Sequence, residues 1–120
     1  MSDLRLLTSY FYKKENKMYY IYMLRCENNS IYTGIAKDLK RRMAEHFSQD
    51  EKCAKYTKSH RPKKLEMVWE TQDKSLAAKL EYAIKTLNKV KKEELIKNPK
   101  LLEDFLGNRI ETSLYKKSKR

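Results

Sequence analysis

The sequence predicts an α+β fold, because two kinds of hydrophobic periodicity follow each other along its 120 residues. Short runs rich in tyrosine and branched residues occur at 19–26 and 31–36, and a third run at 65–71 carries the only tryptophan. Segments with apolar residues every three or four positions follow the second and the third of these runs. A chain of this length can bury a single core, so we expect one small domain.

The first two runs are predicted to form a β-hairpin, because the tetrad between them, Glu-Asn-Asn-Ser at 27–30, has the composition of a turn. Period-two alternation assigns two apolar sets to opposite faces of the first strand. They are Tyr20, Tyr22 and Leu24 on one face, and Tyr19, Ile21 and Met23 on the other. Since both faces are apolar, the hairpin is expected to be covered on both sides.

The run DLKRRMAEHF predicts a helix that Asp38 can cap. The apolar positions that recur every four residues in it are expected in the core: Leu39, Met43 and Phe47. Arg42 and His46 also lie four residues apart, at the border of this stripe rather than on the solvated side of the helix.

Another helix is predicted over residues 73–87. Its apolar positions describe one face: Leu76, Leu80, Ala83, Ile84 and Leu87. Glu81 lies on the margin of that face. A lysine-rich helix over 89–97 and a short segment over 101–106 follow, and the tail YKKSKR is expected to be disordered.

The net charge of the chain is +12, and a charge of this size indicates a polyanionic partner, either nucleic acid or an anionic membrane. No apolar stretch approaches the length of a membrane span, and residues 1–17 lack the apolar run of a secretory signal. We therefore expect a cytoplasmic protein with no membrane association. Cys26 and Cys53 are accordingly expected to be reduced thiols.

A polar connection over residues 48–64 is rich in basic residues, and no acid follows Glu51 in it. Tyr56 and His60 are interleaved with the cations. Such a run is often only a solvated surface, but interleaved aromatics favour a surface that follows a phosphate backbone. The predicted nucleic-acid-binding residues are Arg41, Lys55, Tyr56, Lys58, Arg61, Lys63 and Lys64.

Five features occur in a fixed order between Met18 and Ile96. They are Tyr20-Ile21-Tyr22, Tyr32-Thr33-Gly34, the helix DLKRRMAEHF with Arg42 and His46, the loop AKYTKSHRP with Tyr56, and the helix SLAAKLEYAIKTL with Glu81. Any one of them is weak alone, but the ordered set resembles the GIY-YIG nuclease superfamily. The resemblance is greatest to the small bacterial members that consist of little beyond that domain.

The sequence departs from the family pattern at two motif positions. Tyr20 stands where the motif has glycine, and Thr33 stands where it has isoleucine. Several family members also carry an asparagine after the glutamate, and Asn88 and Asn98 are both candidates for it.

The resemblance implies a small three-stranded antiparallel sheet flanked by helices, in agreement with the α+β pattern. It implies that Glu81 holds a divalent cation, Mg²⁺ or Mn²⁺, and that Arg42 clamps the scissile phosphate. Tyr22 is the candidate base, with nearby cations favouring its phenolate form, while Tyr32 and His46 position the water or share the proton. Paired hairpin strands would bring the hydroxyls of Tyr22 and Tyr32 to one face of the sheet.

Each of these roles has a structural alternative. Glu81 can form a surface ion pair with Lys85, four residues later. Arg41 competes with Arg42 for the phosphate. His46 can be a hydrogen-bonded helix residue, and Tyr22 can be a strand aromatic that serves packing alone.

The predicted organisation is an N-terminal extension at 1–17, a GIY-YIG nuclease-like domain at 18–96, and a short helical segment with a basic tail at 97–120. The predicted function is a metal-dependent endonuclease that acts on DNA in preference to RNA, with weak or structure-directed specificity, in DNA repair or recombination. Two alternatives stay open. One is a nucleic-acid-binding protein that keeps the fold without catalysis, and the other is a subunit whose protein partner selects the substrate.

Overall fold

The structure, a computed structural model, describes residues 18–118. The fold is α+β, as predicted, and is built on an antiparallel sheet flanked by helices. The strands in the described range are β1 (Tyr19–Cys26), β2 (Ile31–Ala36), β3 (Pro62–Thr71) and β4 (Lys116–Lys117), in the spatial order β2-β1-β3-β4. The α-helices there are α1 (Leu39–Ser48), α2 (Lys55–Ser59), α3 (Lys74–Lys85), α4 (Lys89–Lys97) and α5 (Leu101–Leu106).

The hairpin of β1 and β2 forms as predicted. Its turn contains Asn29 with a φ of 68°, a left-handed conformation that asparagine tolerates better than most residues. The register pairs Tyr22 with Gly34 and Leu24 with Tyr32. Tyr22 and Tyr32 are therefore diagonal neighbours on the same face of the sheet.

The two faces of β1 carry the two predicted apolar sets. Ile21 and Met23 pack in a large cluster with the buried face of α3 and with residues of α4 and α5. Tyr22 and Leu24 belong to a smaller cluster on the opposite face, beneath α1. Alternation in the sequence thus separates a structural face from the face that carries Tyr22 and Tyr32.

The prediction for the stripe of α1 is wrong at one position. Asp38 caps the helix as expected, its Oδ1 accepting from the Arg41 backbone N–H at 3.1 Å. Leu39 is buried, but Phe47 is 40% exposed, whereas His46 is completely buried. The helix therefore presents position 46 to the sheet, because the buried Tyr22 hydroxyl offers a histidine a hydrogen-bond partner that phenylalanine cannot use.

The expected disorder of the C-terminal tail is also wrong over residues 115–118. Tyr115 is buried, and its hydroxyl donates to the Leu76 carbonyl at 2.6 Å. Lys116 and Lys117 form β4 on the edge of β3, which adds a fourth strand to the three expected. One buried aromatic ring and backbone pairing outweigh the polar composition of this segment.

Within the described range, no helix has the length and apolar character needed to cross a membrane. Cys26 and Cys53 are buried free thiols, as expected. The predicted N-terminal extension, residues 1–17, lies outside the described residues.

Candidate active site

The tyrosine face of the sheet brings three rings together beneath α1. The ring centroids of Tyr22 and Tyr32 are 6.2 Å apart, and His46 lies 5.5 Å from each of them. Tyr22 is almost completely buried, while Tyr32 is partly exposed. The predicted proximity of the two tyrosines on one face is thus present in the structure.

A chain of hydrogen bonds runs from Tyr22 into the protein. Tyr22 Oη lies 2.7 Å from His46 Nε2, and His46 Nδ1 lies 2.8 Å from Thr57 Oγ1. Thr57 Oγ1 donates its single proton to the Ala54 carbonyl at 3.0 Å, so it accepts from His46. This assigns the proton of the neutral imidazole to Nδ1, and Nε2 accepts from the Tyr22 hydroxyl.

Burial holds both members of this pair in their neutral forms. It lowers the pKa of His46 to about 4, and the nearby Arg42 guanidinium acts in the same direction. Burial also raises the pKa of Tyr22 well above that of a free phenol, although Arg42 opposes the change. Desolvation thus outweighs the charge of Arg42, and the expectation that Arg42 and a bound metal together favour the phenolate stays a prediction.

Arg42, and not Arg41, lies beside Tyr22. The Arg42 Nη1 donates to Glu45 Oε1 at 2.8 Å and to the Lys52 carbonyl at 2.6 Å, so the guanidinium is held from two sides. Arg41 points outward, with 68% of its side chain exposed. Arg42 is thus the arginine that contacts the tyrosine cluster, and its role as the phosphate clamp stays a prediction.

The solvent side of these arginines opens on a hollow of about 320 Å³. It is lined by Ala36, Lys37, Asp38, Arg41, Arg42 and Glu45. Three cations and two acidic side chains line the hollow, and the surplus of positive charge favours an anionic ligand such as a phosphate.

Glu81 projects from α3 toward the same centre. Only 22% of its side chain is exposed, and its charge acts to raise the pKa of Tyr22. Glu81 Oε2 also lies 3.2 Å from Lys85 Nζ, which in turn lies 5.9 Å from the Tyr32 ring centroid. The carboxylate is thus close enough to act on the pKa of Tyr22, and it also forms the ion pair of the alternative interpretation.

The donor set fits a weakly chelated hard cation. Among residues 18–118, no three His, Cys, Asp or Glu side chains come close enough to share a metal ion. Glu81 would be a single carboxylate ligand, and Mg²⁺ commonly binds through one or two carboxylates, waters and substrate phosphates. The residues present therefore fit a cation that binds together with a phosphate.

The predicted nucleic-acid-binding residues all lie at the protein surface. Their side chains are exposed: Arg41, Lys55, Tyr56, Lys58, Arg61, Lys63 and Lys64.

The two candidate asparagines lie at the ends of α4. Asn88 caps its start by accepting from the Lys91 backbone N–H, and Asn98 ends it.

Sequence analysis missed two residues that hold the cluster, Thr57 and Glu45. The i,i+3 spacing of Glu45 from Arg42 is a signal that could have identified the pair. Thr57 carries no such signal, because it meets His46 only through the fold of the connection after α1.

A family model for the GIY-YIG catalytic domain matches residues 18–94, more than half of the chain. The chain belongs to the GIY-YIG family. This match runs from β1 into α4, ending before the end of that helix, and includes Tyr22, Tyr32, His46 and Glu81. A GIY-YIG catalytic domain indicates nuclease activity.

Small bacterial GIY-YIG proteins are similar to most of the chain. A UPF0213 protein of Fusobacterium nucleatum is 53% identical over 81 residues, which are 68% of this chain and 79% of that protein. A UPF0213 protein of Vibrio cholerae is 43% identical over 81 residues, covering 65% and 76%. The solution NMR structure of a UPF0213 protein from Bacillus halodurans is 38% identical, covers 67% of this chain and 83% of its own, and has a TM-score of 0.44.

Proposed function

We propose that the protein is a metal-dependent endonuclease that hydrolyses phosphodiester bonds of DNA. The observation that carries the proposal is the buried contact between the hydroxyl of Tyr22 and Nε2 of His46, 2.7 Å long. A tyrosine that serves packing alone needs a partner for its hydroxyl, but it does not need a neutral imidazole fixed in an accepting tautomer. Family membership independently supports a nuclease.

In the proposed mechanism, Tyr22 acts as a base by relay rather than as a free phenolate. Tyr22 Oη accepts a proton from the attacking water while its own proton moves to His46 Nε2. The hydrogen bond from His46 Nδ1 to Thr57 holds the resulting imidazolium in place. This route uses a neutral phenol and a neutral imidazole, the forms that burial favours.

Two charged side chains would act on the phosphate. Arg42 is restrained by Glu45 and the Lys52 carbonyl, so its remaining N–H groups can bind the scissile phosphate at little entropic cost. Glu81 would hold Mg²⁺ or Mn²⁺, which when bound supplies positive charge for the phosphate and the leaving oxygen. Tyr32, at the exposed side of the cluster, would position the water.

The exposed cations of α1, α2 and the start of β3 support a nucleic acid substrate that is bound through its backbone. DNA is proposed ahead of RNA, with structure-directed or weak specificity. The cytoplasmic location, the role in DNA repair or recombination, and a protein partner that selects the substrate stay predictions.

The proposal is tested with single-stranded, duplex, flap and junction substrates in a titration of Mg²⁺ and Mn²⁺. We expect metal-dependent cleavage by the wild type. Tyr22→Phe keeps the ring, so folding and DNA affinity should persist while turnover falls by roughly 10²–10⁴-fold. Tyr32→Phe should have a milder effect.

Two results would contradict the assignment. Wild-type rates in both tyrosine variants would remove the tyrosines from the chemistry, and the opposite order of effects would exchange their roles. Salt-dependent binding by a wild type that cleaves none of the substrates would instead favour the non-catalytic binding protein.

A further inference from the structure

A stack of three aromatic rings leads away from the tyrosine cluster toward solvent. The ring planes of Tyr32 and Tyr56 differ by 17°, with centroids 6.0 Å apart. Tyr56 and His60 stack more closely, at 4.1 Å and 12°. The three rings are therefore nearly parallel, and the inner end of the stack is next to Tyr22.

Hydrogen bonds hold the outer two rings in place. The hydroxyl of Tyr56 donates to Ser30 Oγ at 2.6 Å, which ties α2 to the hairpin turn. His60 Nδ1 lies 3.0 Å from the Tyr56 carbonyl oxygen. A carbonyl can only accept, so Nδ1 carries a proton and the imidazole is pinned flat against Tyr56.

The stack ends at His60. In the part of the chain that the structure describes, no further aromatic ring stacks beyond it, and His60 is partly exposed. Exposed cations lie close to His60 in the sequence: Lys55, Lys58, Arg61, Lys63 and Lys64. An exposed, immobilised ring among cations combines the two elements that bind single strands, a stacking surface and attraction for phosphates.

We propose that His60 forms a stacking subsite for an unpaired nucleobase of the strand that is cleaved. The base continues the stack of Tyr32, Tyr56 and His60, and its phosphates lie along the surrounding lysines. The inference rests on the proposed function and names its substrate class. Bases inside a duplex are covered on both faces by their neighbours, so single strands and flaps are favoured over continuous duplex.

The test is a binding measurement on the full chain without divalent cation, which separates it from catalysis. The probes are a single-stranded oligonucleotide with one 2-aminopurine, placed in turn at each position, and a blunt duplex. His60→Ala should weaken single-strand binding by about 5- to 150-fold, the range that stacking on one aromatic ring contributes. It should also remove the position-dependent quenching of 2-aminopurine.

Two matched variants separate stacking from charge and from folding. His60→Phe keeps a flat ring without the imidazole nitrogens, so it should retain most of the affinity and the quenching. Lys63→Gln removes one exposed cation, so it should reduce the slope of log K against log salt by about 0.7, as for one phosphate contact on a single strand. His60→Ala should leave that slope unchanged.

The stacking subsite is overturned if His60→Ala binds single strands like the wild type, if His60→Phe is as weak as His60→Ala, or if duplex binding falls equally. A wild type that cleaves DNA while His60→Ala binds normally would contradict only the stacking subsite. If the wild type stacks the base but cleaves no substrate, the proposed nuclease activity is contradicted and the stacking subsite is retained.

Discussion

A Cβ atom on Gly34 would stand 2.5 Å from the hydroxyl oxygen of Tyr22 and 2.7 Å from its Cζ. The two residues face each other across the β1–β2 ladder. The Tyr22 ring therefore lies directly over the backbone of β2, in space that any other residue at position 34 would fill. Gly34 is therefore required for the Tyr22 ring to occupy its position, which explains why the second motif needs a glycine there.

Gly34→Ala should displace the Tyr22 ring, which is buried and hydrogen-bonded to His46 and so cannot move away freely. We expect a loss of about 1–3 kcal/mol in the free energy of unfolding, as for other overpacked sites, and a loss of cleavage. Urea denaturation measures the first effect. In a Tyr22→Ala background the ring is absent, so the same substitution should cost less, and equal costs in the two backgrounds would argue against this contact.

Thr33 is completely enclosed in β2, and its Oγ1 has no hydrogen-bond partner. An unsatisfied buried hydroxyl is destabilising, so Thr33→Val should raise the free energy of unfolding by about 1 kcal/mol. Thr71 is the matched control, because it is equally buried but donates to the Leu114 carbonyl at 2.9 Å. Thr71→Val should lower stability by a similar amount, and losses in both variants would contradict the prediction.

Stability should depend on pH through His46. The pKa of His46 is lowered from 6.5 to about 4, so between these pH values the unfolded chain binds a proton that the folded chain excludes. The free energy of unfolding should therefore fall as the pH decreases through this window, by up to about 3 kcal/mol. His46→Gln does not titrate, and its stability should fall less over the same range. Parallel curves for the two proteins would refute the buried neutral histidine.

The C-terminal residues should contribute to folding. The predicted nuclease-like domain ends at residue 96, but Leu106 and Tyr115 are buried in the same cluster as Trp69. A chain ending at residue 105 should lose at least about 3 kcal/mol relative to one that spans 18–118, since deletion of a single large core side chain costs 2–5 kcal/mol. Equal denaturation midpoints would show that the segment is dispensable.

Local sequence patterns were sufficient to predict the main helices and strands and most residues of the cluster around Tyr22, Tyr32 and His46. The sequence predicted the hairpin, the cap of α1, and the shared face of Tyr22 and Tyr32, because alternation and capping act over a few residues. The predictions that failed, at Phe47 and in the tail, depend on contacts between distant segments, such as Tyr22 with His46. Desolvation of Tyr22 is likewise a property of the packed fold, so its protonation state could not follow from charge counts.

In the proposed active site, Glu81 holds a metal ion at the scissile phosphate in addition to its ion pair with Lys85. Single-turnover cleavage of DNA tests this role most directly. Glu81→Gln should abolish cleavage at ordinary Mg²⁺, while metal-free DNA binding persists because phosphate contacts dominate affinity. Lys85→Gln breaks the same 3.2 Å ion pair but keeps the carboxylate, so it should still cleave. If the ion pair were the only role, both variants would lose about 0.2–0.5 kcal/mol of stability and cleave normally. Full cleavage by Glu81→Gln would contradict the proposed active site.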